Sequence, residues 1–251
     1  MEELSRQYGT EKRQQELLDI LKDVDVIFRQ NHIVYSLSGG SLIGALRHQG
    51  FIPWDDDVDI MLDRADFDRA CALMSEDRPD CVYGLRREHW VYRIHRKDSR
   101  DPDDAAIDLF AVDHCPDSAL MRKLKVFLIK TLQGMLKPVV REEGKSFLYR
   151  LCLRVTHIMG LPFSSETKFR WYDAVSRIGN KKPTQYVGIY DDPFKNLHLR
   201  YVSTLMDRVE PHVFEDTELP ITAEYDNYLT TQFGDYMTPP PEAERVSPHN
   251  I

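Results

Sequence analysis

The chain has 251 residues, of which 42% are hydrophobic, enough for one large domain or a domain with an elaborated end. Acidic residues outnumber basic ones by 41 to 33, and the net charge of −8 disfavours broad nucleic-acid binding. Cys71, Cys81, Cys115 and Cys152 form no CxxC pair and no zinc spacing, no run of about 18 apolar residues is present, and MEELSRQYGTEKRQQ is too polar for a signal peptide; a reduced, cytoplasmic setting is expected.

Residues 11–30 place Leu17, Leu21, Val24 and Phe28, with Leu18, Ile20 and Ile27, at helical spacing, which predicts an amphipathic helix with a solvated polar face. Ile33 to Leu37 reads as the first strand. Gly39 and Gly40 then permit a turn that other residues would resist. A helix starting near Ser41 would present free backbone N–H groups, with the Ser38 and Ser41 hydroxyls beside them, an arrangement that cradles phosphate. Alone, Gly-Gly-Ser is commonly an ordinary turn. Arg47 and His48 end this helix, with Gly50 as its expected C-terminal cap. Both could meet a phosphate, and both also suit a last turn by complementing the helix dipole.

The next stretch, Pro53 to Ile60, carries the chemistry. Asp55, Asp57 and Asp59 alternate, so an extended chain puts them on one face, with Val58, Ile60 and Leu62 on the other. Carboxylates spaced roughly 6–7 Å apart along a strand can converge on a shared cation. Hard oxygen ligands favour magnesium or manganese. Runs of aspartate are more often solvated loops, but the interleaved Val and Ile demand a buried face. A calcium loop of the EF-hand kind is excluded, because it needs Gly where Ile60 stands and Glu where Asp66 stands. Asp56, on the opposite face, is a weaker candidate.

Asp63 is expected to cap a helix over 64–75 that buries Phe67, Ala70, Cys71 and Met74. The segment from Cys81 to Asp113 is strand-rich, with alternation in Trp90–His95 and Ala106–Val112. Asp108 sits inside the second of these. It either faces water at a sheet edge, or its strand lies beside the acidic one and delivers a further carboxylate. The polar loop from Arg96 to Asp104 is a candidate for closing over substrate.

Residues 121–154 hold nine basic residues against two acidic ones. Leu124, Phe127, Leu128, Leu132, Met135 and Leu136 form an apolar face, and Pro138 divides the stretch into two helices. Two readings stand: a basic amphipathic pair on an anionic membrane surface, or a subdomain packed on the core. A helix around 169–178 ending at Gly179-Asn180 and a strand at Tyr186–Tyr190 follow. In the tail, Val213–Ile221 reads as extended, with Thr222 capping a helix that runs through Phe233 and stops at Gly234.

GGSLIGALRHQGFIPWDDDVDI resembles the signature of the LicD family of phosphocholine transferases, to which the fukutin-related ribitol-phosphate transferases are also similar. IDLFAVD is similar to the family's later acidic strand, and YDNYLTTQFGDYMTPPPEAER to its C-terminal segment. The resemblance implies an α/β (α+β) chain with a nucleotidyltransferase-like mixed sheet flanked by helices. Residues 1–251 then form one such domain, with a basic helical insertion over 121–160. It implies transfer of a phosphorylated alcohol, phosphocholine or similar, from a CDP-linked donor to a hydroxyl of a cell-surface glycan such as lipopolysaccharide, teichoic acid or capsule. The implied acceptor is a glycan or a lipid-linked glycan, and nucleic acid is not an expected partner.

Carried onto matching positions, Asp57 and Asp59 are metal ligands, Asp55 an additional one, and Asp108 the third acidic residue, as general base or as ligand. Gly39, Gly40 and Ser41, with Arg47 and His48, hold donor phosphate. The expected cofactor is magnesium or manganese. Asp235 and Tyr236 match the family's pattern without an evident physical role. The expected location is cytoplasmic, with peripheral contact at the inner membrane face through 121–154. A nucleotidyltransferase that moves a nucleoside monophosphate from an NTP to a small molecule or protein is the nearest alternative. A catalytically inactive binding protein is the third.

Overall fold

The computed structural model describes residues 2–76, 81–99, 101, 104–137 and 146–245, the side chains of 2–4 and 148 excepted. Two compact units form. One comprises residues 1–86, 92–112 and 204–251, and the other comprises residues 87–91 and 113–203.

The first unit opens with α1 (Glu2–Tyr8) and α2 (Glu11–Gln30). The expected apolar stripe of α2 is buried through Leu17, Leu21, Val24 and Phe28, all fully inaccessible. Two polar residues share that face. Asp25 accepts the Tyr35 hydroxyl at 2.8 Å and Arg29 Nε at 2.7 Å, while Gln14 turns toward the acidic loop described below. Next come β1 (Ser36–Leu37), α3 (Gly39–His48), β2 (Val58–Asp63) and α4 (Arg64–Ser75). Asp63 caps α4 as expected, its carboxylate accepting the Asp66 N–H at 2.8 Å.

With β3 (Tyr83–Glu88), β4 (Val91–Arg96) and β5 (Ala106–His114), the strand order is β1-β2-β5-β4-β3. β1 is antiparallel to β2, β2 parallel to β5, and β5 antiparallel to β4, so the sheet is mixed. Helices α3 and α4 pack on β2. Val58, Ile60, Leu62, Ile107 and Leu109 are fully buried, which is the apolar half of the alternation read in the sequence. β5 is therefore an interior strand, and Asp108 does not lie at a sheet edge.

Three local expectations change. The end of α3 is Gln49 rather than Gly50: Gln49 adopts the left-handed conformation (φ 57°), and its carbonyl is held by the Glu215 N–H at 2.7 Å. The extended run 213–221 is a hairpin, β8 (Val209–Phe214) and β9 (Thr217–Thr222), turning at Glu215 with φ 52°. A left-handed turn at a non-glycine residue leaves no sequence mark. The last helix, α8 (Tyr225–Phe233), starts after Glu224; Thr222 ends β9 instead, and its Oγ1 accepts the Glu224 N–H at 3.1 Å.

The second unit contains α5 (Ala119–Leu136), α6 (Phe147–Gly160), α7 (Ser165–Ser176) and the antiparallel pair β6 (Tyr186–Ile189) and β7 (Tyr201–Val202). Its core gathers Cys115, Ile129, Leu132, Tyr172, Tyr190 and Leu197. The apolar and basic residues of α5 divide between its faces. Lys125 is fully buried, its ammonium donating to Ile178 O at 2.8 Å and lying 3.5 Å from the Tyr190 ring centre, while Leu124 and Phe127 face outward. Pro138, Arg141, Glu142, Glu143 and Lys145 lie outside the described residues, as do Arg100, Pro102 and Asp103 of the polar loop. None of the four cysteines is in a disulfide, and no helix among the described residues is long and apolar enough to cross a membrane.

Asp192, buried in this unit, has its carboxyl pushed up to about 7 by burial and by Asp191, against an opposing hydrogen bond from Asn196. Its ordinary value is 3.8, so between about pH 4 and 7 the folded chain keeps a proton that the unfolded chain has lost. Stability therefore falls as pH rises across that window. Asp192→Asn should melt close to wild type at pH 4 and above it at pH 8, by at least a few degrees given about 1.4 kcal/mol per unit of displacement. Melting curves at the two pH values check it.

Candidate active site

The candidate site begins at the corner between β1 and α3. Ser38 is extended, and Gly39 turns the chain with φ 50°, a conformation glycine adopts without steric cost. The first intrahelical bond runs from the Leu42 N–H to Ser38 O, so the amides of Gly40 and Ser41 precede the helical ladder, at its positive end. The corner is stitched to β2 from both sides. Ser38 N–H donates to Asp59 O at 2.9 Å, and Asp59 N–H donates to Ser41 Oγ at 3.0 Å.

The acidic residues close on this corner. A Cβ at position 39 would stand 2.8 Å from Asp59 Oδ2, and one at position 40 would stand 2.6 Å from Asp55 Oδ2. Only glycine leaves room for the two carboxylates. Asp55 and Asp57 precede β2, which begins at Val58, yet the alternation holds: Asp55, Asp57 and Asp59 are partly accessible, while Asp56, Val58 and Ile60 are buried. Burial, then the charge of Asp57 and a hydrogen bond shared with it, push the Asp55 carboxyl well above the ordinary carboxylate range.

Asp108 is paired directly with Asp59 across the parallel β2–β5 ladder, so their side chains share one face of the sheet. Arg93 on β4 pairs with Asp108 from the other side, its Nε 2.6 Å from Asp108 Oδ1, and only 8% of Arg93 is exposed. The row Asp59–Asp108–Arg93 crosses three strands. Arg93→Met removes the cation from a mostly buried carboxylate, and is expected to cost about 3 kcal/mol in denaturant unfolding. Arg93→Lys should recover part of it.

The corner has two further supports. Tyr228 of α8 bonds to Ser38 Oγ at 2.8 Å and accepts the Gly39 N–H at 3.2 Å. From the other side, Gln14 Nε2 donates to Asp55 O at 2.7 Å and to Ile52 O at 3.0 Å, and Thr10 Oγ1 to Pro53 O at 2.6 Å. Neither Tyr228 nor Gln14 was singled out from sequence. The one available signal was an uncharged polar residue inside an otherwise apolar helical stripe.

The structure thus sets Asp59 against Gly39 and Asp55 against Gly40, links Asp57 to Asp55, and pairs Asp108 with Asp59. Arg47 and His48 lie at the opposite end of α3, roughly 12 Å along its axis. There Arg47 Nε donates to His48 Nε2 at 3.0 Å, and its Nη1 donates to Tyr236 O at 3.0 Å. His48 also stands edge-on to Trp54, over which Arg245 is stacked. Burial and the two arginines hold the His48 imidazole below its ordinary value, favouring its neutral form at neutral pH. These contacts give Tyr236 a role, since its carbonyl ties the C-terminal tail to α3 and its hydroxyl donates to Asp226 at 2.9 Å. Asp235 accepts the Thr238 N–H at 3.3 Å.

Among the described residues no three His, Cys, Asp or Glu side chains stand in a ready metal cage. The donor set nonetheless suits a hard divalent cation: it is carboxylate oxygen throughout, and the glycine corner leaves a cradle that any Cβ would fill.

The LicD/FKTN/FKRP nucleotidyltransferase-domain model matches residues 32–112, the span from β1 through the row to β5. A lipopolysaccharide cholinephosphotransferase LicD of Haemophilus influenzae is 26% identical over 263 residues, covering 95% of this chain and 96% of that protein. Uncharacterized proteins of Rickettsia typhi and Rickettsia prowazekii are each 45% identical over 51 and 49 residues, covering 16% and 18% of their own lengths.

Proposed function

We propose, from the premise that residues 32–112 are a LicD-family nucleotidyltransferase domain, that this chain is a transferase moving phosphocholine or a similar phosphorylated alcohol from a CDP-linked donor to a glycan hydroxyl. The observation that carries the reading is the meeting of Asp55 and Asp59 with the Gly39–Gly40 corner, which pairs an anion-binding helix terminus with cation-binding carboxylates. Support for the group transferred and for a glycan acceptor comes from the full-length similarity to the Haemophilus influenzae enzyme.

In this reading the donor diphosphate lies against the Gly40 and Ser41 amides. A divalent cation, magnesium or manganese, held by Asp55, Asp57 and Asp59 would supply charge neutralisation on the phosphoryl oxygens and on the departing CMP. The acceptor hydroxyl oxygen forms a bond to the phosphorus that bears the alcohol. The bond from that phosphorus to the oxygen bridging it to CMP breaks, and CMP leaves with the electron pair. Asp108, positioned by Arg93, takes the hydroxyl proton. Tyr228 and Gln14 hold the corner and the acidic loop in register through the reaction.

The test is product analysis. With CDP-choline and a glycan acceptor, CMP should accumulate, and EDTA should stop it. With CTP or ATP no pyrophosphate should appear. Pyrophosphate release without CMP release would replace this reading with nucleotidyl transfer.

A further inference from the structure

Helices α5 and α6 carry large apolar side chains on their outward faces. On α6, Phe147, Leu151, Val155 and Ile158 recur at helical spacing and all face solvent, Phe147 with 74% of its surface exposed. The opposite face meets α5, where Gly134 receives Thr156 and Gly160 abuts Met135. On α5, Leu120, Leu124 and Phe127 are likewise exposed, Leu120 at 76%, whereas Lys125 and Gln133 are buried. Phe127 lies two turns before Gly134, so the side of α5 that α6 covers at one end is bare and apolar at the other.

The charge on these helices has one sign. α5 carries Arg122, Lys123, Lys125 and Lys130, α6 carries Arg150 and Arg154, and neither contains Asp or Glu. Asp117, just before α5, is taken by Lys182 at 3.3 Å. Beside α5 opens a groove of about 420 Å³, in which Val126 and Phe127 stand among Arg122, Lys123, Lys130 and Arg200. A groove with apolar walls and basic residues around them fits a phosphate headgroup with its acyl chains.

We propose that the outward faces of α5 and α6 rest on the surface of an anionic lipid bilayer, apolar side chains in the headgroup–acyl boundary and basic ones at the phosphates. A protein partner would be expected to offer charged and hydrogen-bonding groups, for which an all-apolar stripe flanked only by cations has little use. A bilayer surface supplies what the stripe lacks, an apolar layer beneath a plane of negative charge. The proposal is independent of the transferase reading, because none of these residues belongs to the carboxylate row or the glycine corner.

Flotation of the full chain with vesicles tests it. The chain should float with vesicles of equal parts phosphatidylglycerol and phosphatidylcholine, float poorly with phosphatidylcholine alone, and release as salt is raised. Phe147→Glu combined with Leu151→Glu should lower partitioning roughly a hundredfold, the worth of two buried apolar side chains. Both positions are exposed, and a glutamate at the first position of α6 favours its N-terminus, so the variant should keep the wild-type melting temperature. Val26→Glu, at an exposed apolar residue of α2, should float like wild type. Wild-type protein that stays out of anionic vesicles, or a double variant that floats unchanged, would overturn the proposal. So would concentration-dependent dimerisation abolished by the double variant without lipid binding, which would make the face a self-association surface. CMP release from CDP-choline is measured separately, so failure here leaves the transferase reading standing.

Discussion

Asp59→Asn is expected to lower turnover by about a thousandfold or more while the chain stays folded. The expectation follows from what asparagine preserves at this position. Its N–H and carbonyl tie β2 to the glycine corner, and asparagine keeps both. Its side chain, by contrast, stands against Gly39 on one side and is paired with Asp108 on the other. Replacing one carboxylate in a crowded acidic row relieves repulsion, so the melting temperature should hold or rise. Asp57→Asn should behave alike. Asp56→Asn is the control one residue away: it is buried where Asp55, Asp57 and Asp59 are partly accessible, and turnover should stay within about tenfold of wild type. CMP release and thermal melts on the same preparations decide the matter. An Asp59→Asn enzyme with near-normal turnover would remove the carboxylate row from the chemistry.

What could be read from the sequence was local. The bounds of α2 and α4, the Asp63 cap and the interleaving of Asp55, Asp57 and Asp59 with buried positions all depend on residues within a turn or two of one another. The Asp59–Asp108 pairing was also within reach, because a charge embedded in an apolar strand needs company. Three residues escaped for one shared reason. Arg93, Tyr228 and Gln14 act on groups 15, 190 and 41 residues away, at Asp108, Ser38 and Asp55. No spacing rule reaches that far. The apolar pattern of α5 left its orientation open: amphipathicity reports that a helix has two faces, and not which of them meets the core. Lys125 could be buried because backbone carbonyls and the Tyr190 ring surround its ammonium, and those partners exist only once the unit is folded.

The glycines of α3 allow the site to be separated from the scaffold by single methyl groups. At Gly44 an added Cβ would meet Gly50 O and would lie 3.2 Å from Ile52 N, both backbone atoms of the returning loop. Gly44→Ala should therefore destabilise the chain by about 1–3 kcal/mol, with activity falling only as folded protein is lost. At Gly39 the added Cβ meets Asp59, and the φ of 50° strains any L-residue by about 1–2 kcal/mol, so stability and turnover should fall together. Gly40 is the discriminating position. Its φ carries no such strain, and the atom a Cβ would strike is Asp55 Oδ2, the far end of a side chain rather than backbone. The carboxylate can swing aside at little cost to the fold. Swinging aside takes it from the corner where the proposed reading places the diphosphate, and a displacement of about 1 Å in a positioned group costs on the order of a hundredfold in rate. Gly40→Ala should thus melt within a few degrees of wild type, release CMP about a hundredfold more slowly, and require more magnesium to reach half its rate. If it instead turned over normally with an unchanged magnesium requirement, the meeting of carboxylate and glycine corner would be packing alone.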